Sequence, residues 1–93
     1  MYEIKTTARF RRDLKAICKD KGKNLRILQE AVDTLAAGKP LPAKYRDHAL
    51  TGSFSRYREC HLQPDWLLMY EICNDIMVLV LVRTGSHAKL GLA

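Results

Sequence analysis

From Thr7 onward the apolar positions recur with the period of a helix: Phe10, Leu14, Ile17 and Cys18 stand at i, i+4, i+7 and i+8, on one face. Arg9, Arg11, Arg12, Lys15 and Lys19 fall mostly off that stripe, as helix surface does by default. Thr6 or Thr7 offers a capping hydroxyl, and Gly22 suits the residue after the helix end. The period resumes near Asn24, with Leu25, Leu28, Val32 and Leu35 in line, until Gly38 and Pro40 stop it. These positions predict two antiparallel helices joined by a Lys-Gly-Lys turn, preceded by a strand over Tyr2–Lys5.

Residues 38–55 hold two prolines, two glycines and two serines, and so read as a loop, long enough to suggest a function. The period then drops to two. Over Arg56–Leu62, Tyr57, Glu59 and His61 share one face, and Arg58, Cys60 and Leu62 the other. Gln63-Pro64-Asp65 is turn chemistry, Trp66–Ile72 is apolar on both faces, Cys73-Asn74-Asp75 turns again, and Ile76–Val82 is a further apolar strand. Arg83–His87 returns to loop. The expectation is a single α+β domain over residues 1–93, with the N-terminal strand and both helices on one face of an antiparallel sheet. The opposite face would be free, and would carry Tyr57, Glu59 and His61.

Composition narrows this picture. Lys and Arg number 16 against 10 Asp and Glu, giving a net charge of +6 and a pI near 9.5. The excess is uneven: residues 1–46 carry 12 basic against 5 acidic residues, a net +7, while residues 47–93 carry 4 against 5. A basic half of this kind points to an anionic partner. No apolar run approaches the roughly 20 residues that span a bilayer. The start, Met1-Tyr2-Glu3-Ile4-Lys5, lacks the apolar region of a signal peptide. Three widely spaced cysteines, Cys18, Cys60 and Cys73, fit a reducing cytoplasm better than a disulfide framework.

The candidate chemistry lies in the near-neutral half: His48, Glu59, His61, Asp65, Arg83 and His87. Glu59 and His61, two apart on a strand, stand about 7 Å from one another on one face. Imidazoles beside carboxylates suit proton transfer near neutral pH. Each residue also has a plainer reading: solvated loop histidines, a solvated Glu59, and Arg83 paired with Asp65 or Glu71. A metal site is not expected, because Cys60 and His61 are adjacent on a strand and point to opposite faces. No strained serine elbow marks a hydrolase triad, and Thr84-Gly85-Ser86 is too short for a phosphate loop.

Five blocks stand in order: Tyr45-Arg46-Asp47-His48, Leu50-Thr51-Gly52, Tyr57-Arg58-Glu59-Cys60-His61, Pro64-Asp65-Trp66-Leu67-Leu68-Met69-Tyr70 and Arg83-Thr84-Gly85-Ser86-His87. Together they resemble the YafQ family of bacterial toxins, within the RelE/ParE superfamily, over nearly the whole chain. The resemblance implies a RelE-like fold and a ribosome-dependent mRNA endonuclease that needs no metal or other cofactor. It also implies a cognate antitoxin, mRNA and the ribosome as partners, and no membrane. By motif, the catalytic positions would be His48, Glu59, His61, Asp65, Arg83 and His87. The last histidine would be the general acid toward the leaving 5′-oxygen, and Arg83 would supply bidentate donors to phosphate. The basic face of Arg9, Arg11, Arg12, Lys15 and Lys19 would hold RNA.

The chain departs from the family at two positions. Some relatives carry Asp where Glu59 stands. An aromatic usual four residues after the final histidine is replaced by Gly91, which removes a base-stacking contact worth roughly 1–3 kcal/mol in general. Trp66 or Tyr57 would then supply the stacking. The competing readings are a weak or inactive binding module on the same fold, directed at the ribosome, an antitoxin or gyrase, and a DNA-binding repressor.

Overall fold

In the computed structural model, which describes residues 1–91, each of the two long helices begins where a short polar side chain satisfies a free N–H. The Thr7 hydroxyl accepts from the Phe10 N–H (3.0 Å) and starts α1, Ala8–Cys18; Asn24 accepts from the Arg26 N–H (3.0 Å) and starts α2, Leu25–Ala36. Between them and the sheet lies the core. Phe10, Ile17, Leu28, Val32 and Leu35 pack on Cys60, Leu62, Trp66, Leu68 and Tyr70. Each expected stripe fails at one end, where Cys18 and Leu25 are exposed, while Phe10 and Leu35 at the opposite ends are buried.

The sheet comprises β1 (Glu3–Thr6), β2 (His48–Ala49), β3 (Arg58–Gln63), β4 (Trp66–Cys73) and β5 (Val78–Gly85), in the spatial order β1-β5-β4-β3-β2. The three-strand meander expected from period two is present as β3–β4–β5. Three points differ from the sequence reading. First, the sheet is mixed rather than purely antiparallel, because β1 runs parallel to β5, Glu3 beside Val78 and Thr6 beside Leu81. Second, β5 starts later than expected: Ile76 is 69% exposed and Met77 takes a left-handed φ of 54°, so both belong to the turn. Third, the supposed loops contain structure. The proline-rich segment folds a 3₁₀ turn at Ala43–Tyr45, the two-residue β2, and another turn at Gly52–Phe54.

After β5 the chain makes a one-turn helix, α3 (His87–Leu90), rather than a loop. Ser86 caps it by accepting from the Lys89 N–H, and Gly91 ends it at φ 70°, in the left-handed region where a side chain is strained. This backbone gives a structural reason for a glycine at this position. Gly85 stands at φ 155°, a backbone conformation that side chains rarely adopt, and this turns the chain from the strand end into α3. The face away from the long helices is therefore less open than expected, and Leu67 and Met69 on it are buried.

Candidate active site

Register is what assembles the polar cluster. β2 pairs with β3 so that His48 lies opposite Glu59, and the pleat keeps Glu59 and His61 on one face. Glu59 Oε1 stands 3.4 Å from His61 Nε2 and 3.8 Å from His48 Nε2. The ring centres of His48 and His61 are 6.3 Å apart, and those of His61 and His87 5.4 Å. His87 opens α3 and is held there by the β3–β4 turn: Asp65 Oδ1 accepts from its backbone N–H (3.1 Å) and faces its Nδ1 at 2.9 Å. His48, Glu59, His61, Asp65 and His87 thus come together from four separate segments.

The acceptors fix the imidazole hydrogens. His48 Nδ1 lies 2.7 Å from the Arg46 carbonyl, which can only accept, so Nδ1 carries the hydrogen and Nε2 faces Glu59. The carboxylate of Asp65 likewise places the hydrogen of neutral His87 on Nδ1, leaving Nε2 free. Glu59 is not a solvated charge, since its side chain is only 5% exposed. Burial lowers the His61 pKa, with the charges of His87, Arg46 and His48 acting in the same direction against the pull of Glu59. The hydrogen bond from the His87 side chain, and then that from its backbone, hold Asp65 below the usual carboxylate range.

Arg83 is not in this cluster. Its Nε and Nη2 donate to the two oxygens of Asp13 at 2.8 and 3.1 Å, in place of the expected Asp65 or Glu71. Asp13 Oδ2 also accepts the Thr84 N–H (3.1 Å). The backbone pairing of β1 with β5 ends as the Thr7 N–H donates to the Leu81 carbonyl (3.1 Å), and the cap and body of α1 then take over at the edge of β5. The Thr7 hydroxyl donates to the Val82 carbonyl, and Asp13 receives the next outward-pointing N–H. Burial alone would raise the Asp13 pKa, but the hydrogen bonds from Arg83 and Thr84 and the charges of Arg83 and Lys89 outweigh it and hold it low. Beside this pair, Arg9, Arg12 and Lys89 complete a basic cleft of about 240 Å³.

The remaining expected RNA contacts divide. Arg9, Arg12, Lys15 and Lys19 are exposed, as a binding face requires. Arg11 is exposed too, but its guanidinium donates to the Thr6 carbonyl and hydroxyl at 3.0 and 2.9 Å. Trp66 cannot stack on a base: it is fully buried, and its Nε1 donates to the Thr84 hydroxyl (2.8 Å), which donates onward to the Leu67 carbonyl. Tyr57 is half-buried against Phe54, 6.4 Å between ring centres, and Phe54 is the more exposed of the two.

Sequence reasoning missed Asp13 and Asp47. Asp13 sits three residues after Phe10 and four before Ile17, a charge on the apolar stripe, and that interruption was its signal. Asp47 accepts from Arg58 Nε at 3.3 Å and from the Tyr70 hydroxyl, anchoring the chain just before His48. Its sequence carries no comparable mark. As for metal ligands, Cys60 is fully buried on the helix side with its thiol pushed up to about 12, and takes no part. Among the described residues, Glu59, His61 and His87 each offer one donor atom, all within 4.8 Å of one another.

Residues 2–91 match the family described as the bacterial toxin of type II toxin-antitoxin systems, YafQ. The chain is 35% identical over 89 residues to the mRNA interferase toxin YafQ of Escherichia coli B/BL21-DE3, covering 95% of this chain and 94% of that one. It is 49% identical to the K12 toxin of the same name over 51 residues, about half of either protein. Among solved structures, a metal-bound toxin from Helicobacter pylori superposes with a TM-score of 0.89 at 46% identity over 97% of this chain and 99% of that one. The E. coli DinJ-YafQ complex gives 0.86 at 35% identity over 97% and 98%. The fold and the family match are those of a toxin from a type II toxin-antitoxin system. Within that class, the chain belongs to the YafQ family.

Proposed function

We propose that this protein is an mRNA endoribonuclease that cuts on the translating ribosome without a catalytic metal, in the cytoplasm, and is neutralised by a cognate antitoxin. The observation that carries this reading is the pairing of two proton-handling groups across one site. Glu59 stands between His48 and His61, and His87 is oriented from behind by Asp65. The naming of full-length relatives as mRNA interferases, and the DinJ-YafQ complex of one of them, support the substrate class and the partner.

In the proposed reaction the 2′-oxygen attacks the adjacent phosphorus, and the bond from phosphorus to the 5′-oxygen breaks. A cyclic phosphate and a free 5′-hydroxyl result. The 2′-proton passes to the His48–Glu59–His61 group, in which Glu59 orients both imidazoles. Protonated His87, its Nδ1–H held by Asp65, delivers the Nε2 proton to the departing 5′-oxygen. Arg83, with Arg9, Arg12 and Lys89, holds the phosphate backbone in the cleft beside the site. A cavity of about 460 Å³ next to His61, floored by Ile27, Tyr45 and Leu62, leaves room for a nucleotide of the bound strand.

The test is cleavage of a translated mRNA by purified protein in EDTA, with and without ribosomes, for wild type and His87→Ala. Cleavage that requires ribosomes, survives EDTA and disappears in the variant is expected. Intact message in the wild-type reaction would sink the enzymatic reading and leave a binding module.

A further inference from the structure

The reaction set out above moves protons, but the phosphorus under attack also gathers negative charge on its non-bridging oxygens, and that charge calls for a cation at the site. Three arginines around the sheet are already committed: Arg56 to Glu71, Arg58 to Asp47 and Arg83 to Asp13, at 3.4, 3.3 and 2.8 Å. Arg46 is not. Among the described residues no carboxylate pairs with its guanidinium, and the residue is exposed on the wall of the cavity of about 460 Å³ that His61 also lines. The chain fixes Arg46 from both sides. Tyr45 before it is buried, and Asp47 after it is tied to Arg58 and Tyr70. Its own N–H donates to the Ala43 carbonyl at 3.0 Å, and its φ is 49°, a left-handed conformation that a bulky residue keeps only where its surroundings impose it. Its carbonyl accepts from His48 Nδ1, so the residue that orients one imidazole carries an uncommitted cation into the cavity beside another. Burial is the largest cause that lowers the His61 pKa, and the Arg46 charge adds to it.

We propose that Arg46 is the phosphate-binding cation of this site, donating to the non-bridging oxygens of a phosphate that lies against His48 and His61, and stabilising the charge that builds there during attack. The catalytic half rests on the nuclease reading above. A planar fork of donors meets a phosphate bidentately, where an ammonium offers only a point charge. Arg46 makes and breaks no covalent bond. The cleft of Arg9, Arg12 and Lys89 is left to a neighbouring phosphate of the strand.

The experiment follows the imidazole NMR signals of His48 and His61 while inorganic phosphate is added to the full-length, antitoxin-free protein, alongside cleavage assays. Saturable shifts of both signals are expected in the wild type. Arg46→Gln should weaken the binding about tenfold or more, and Arg46→Lys should recover part of the loss. Lys5→Gln, which removes an exposed charge from the opposite edge of the sheet, should bind as wild type does. Circular dichroism of each variant separates a lost site from a lost fold. Wild-type signals that do not move, equal affinity in Arg46→Gln, or an equal loss in Lys5→Gln overturns the site.

In cleavage of a translated mRNA, Arg46→Gln should lower kcat about 10²–10³-fold with KM little changed, because the contact strengthens as charge develops. An unchanged kcat overturns the catalytic role. If the wild-type protein never cleaves, the nuclease reading fails and takes the catalytic role with it, while the phosphate titration still decides the site.

Discussion

Two buried carboxylates, one on each side of β5, meet cations in different ways. Asp13 accepts three hydrogen bonds, two from Arg83 and one from the Thr84 N–H, with the Lys89 charge 3.9 Å away. Glu59 is as buried, yet its imidazole neighbours stand at 3.4 and 3.8 Å, long for hydrogen bonds. A fully bonded carboxylate locks elements together, and moving it would forfeit all those bonds. A loosely partnered one is free to exchange protons or ligands. Asp13 is thus built for architecture and Glu59, in the proposed reaction, for chemistry, although both are carboxylates beside nitrogen bases.

The largest effect should fall on the loosely bonded side. His87→Ala removes the proposed acid and should cut the cleavage rate about 10²–10⁴-fold, with the urea midpoint nearly unchanged. On the locked side, Asp13→Ala should destabilise the fold by about 3 kcal/mol or more in urea denaturation, because it strands Arg83 and the Thr84 N–H. The Asp13 pKa is depressed in the folded state, so its contribution is complete above about pH 4 and is lost as the pH falls through the folded value. The stability gap between wild type and Asp13→Asn should therefore be flat from pH 7 to about 4.5 and close below that.

Glu59→Gln sharpens the contrast, with cleavage falling about tenfold or more while stability changes by less than about 1 kcal/mol. If this variant unfolds as readily as Asp13→Ala, the distinction between the two carboxylates collapses. The smallest effect is expected from Trp66→Phe, which loses the hydrogen bond to Thr84. It should cost about 1 kcal/mol of stability and leave RNA cleavage intact, whereas a base-stacking tryptophan would show the opposite pattern.

Local periodicity carried much of the architecture. The stripes of α1 and α2 and the alternation of β3 were readable because each element buries one face along its own length. The parallel pairing of β1 with β5 was not, since it depends on residues some 75 positions apart and leaves no mark on either four-residue stretch. A helix as short as α3 has too few residues to show a period. At the site, residue chemistry singled out His48, Glu59, His61, Asp65 and His87 before the family resemblance suggested roles for them, and the structure brings them together. It separated Arg83, whose partner is a helix residue that linear spacing could not associate with it. Trp66 misled because indole suits both stacking and burial, and only tertiary packing decides between them.

The pairing of β1 with β5 also sets an order of events during synthesis. Among the described residues β5 is the one strand beside β1, and Arg83 and Thr84 are the hydrogen-bond partners of Asp13, so both wait for residues 78–85 to emerge. His87 follows two residues behind. A nascent chain can build its helices early, but it cannot close the sheet edge or bring the polar cluster together until residues 78–87 have left the ribosome.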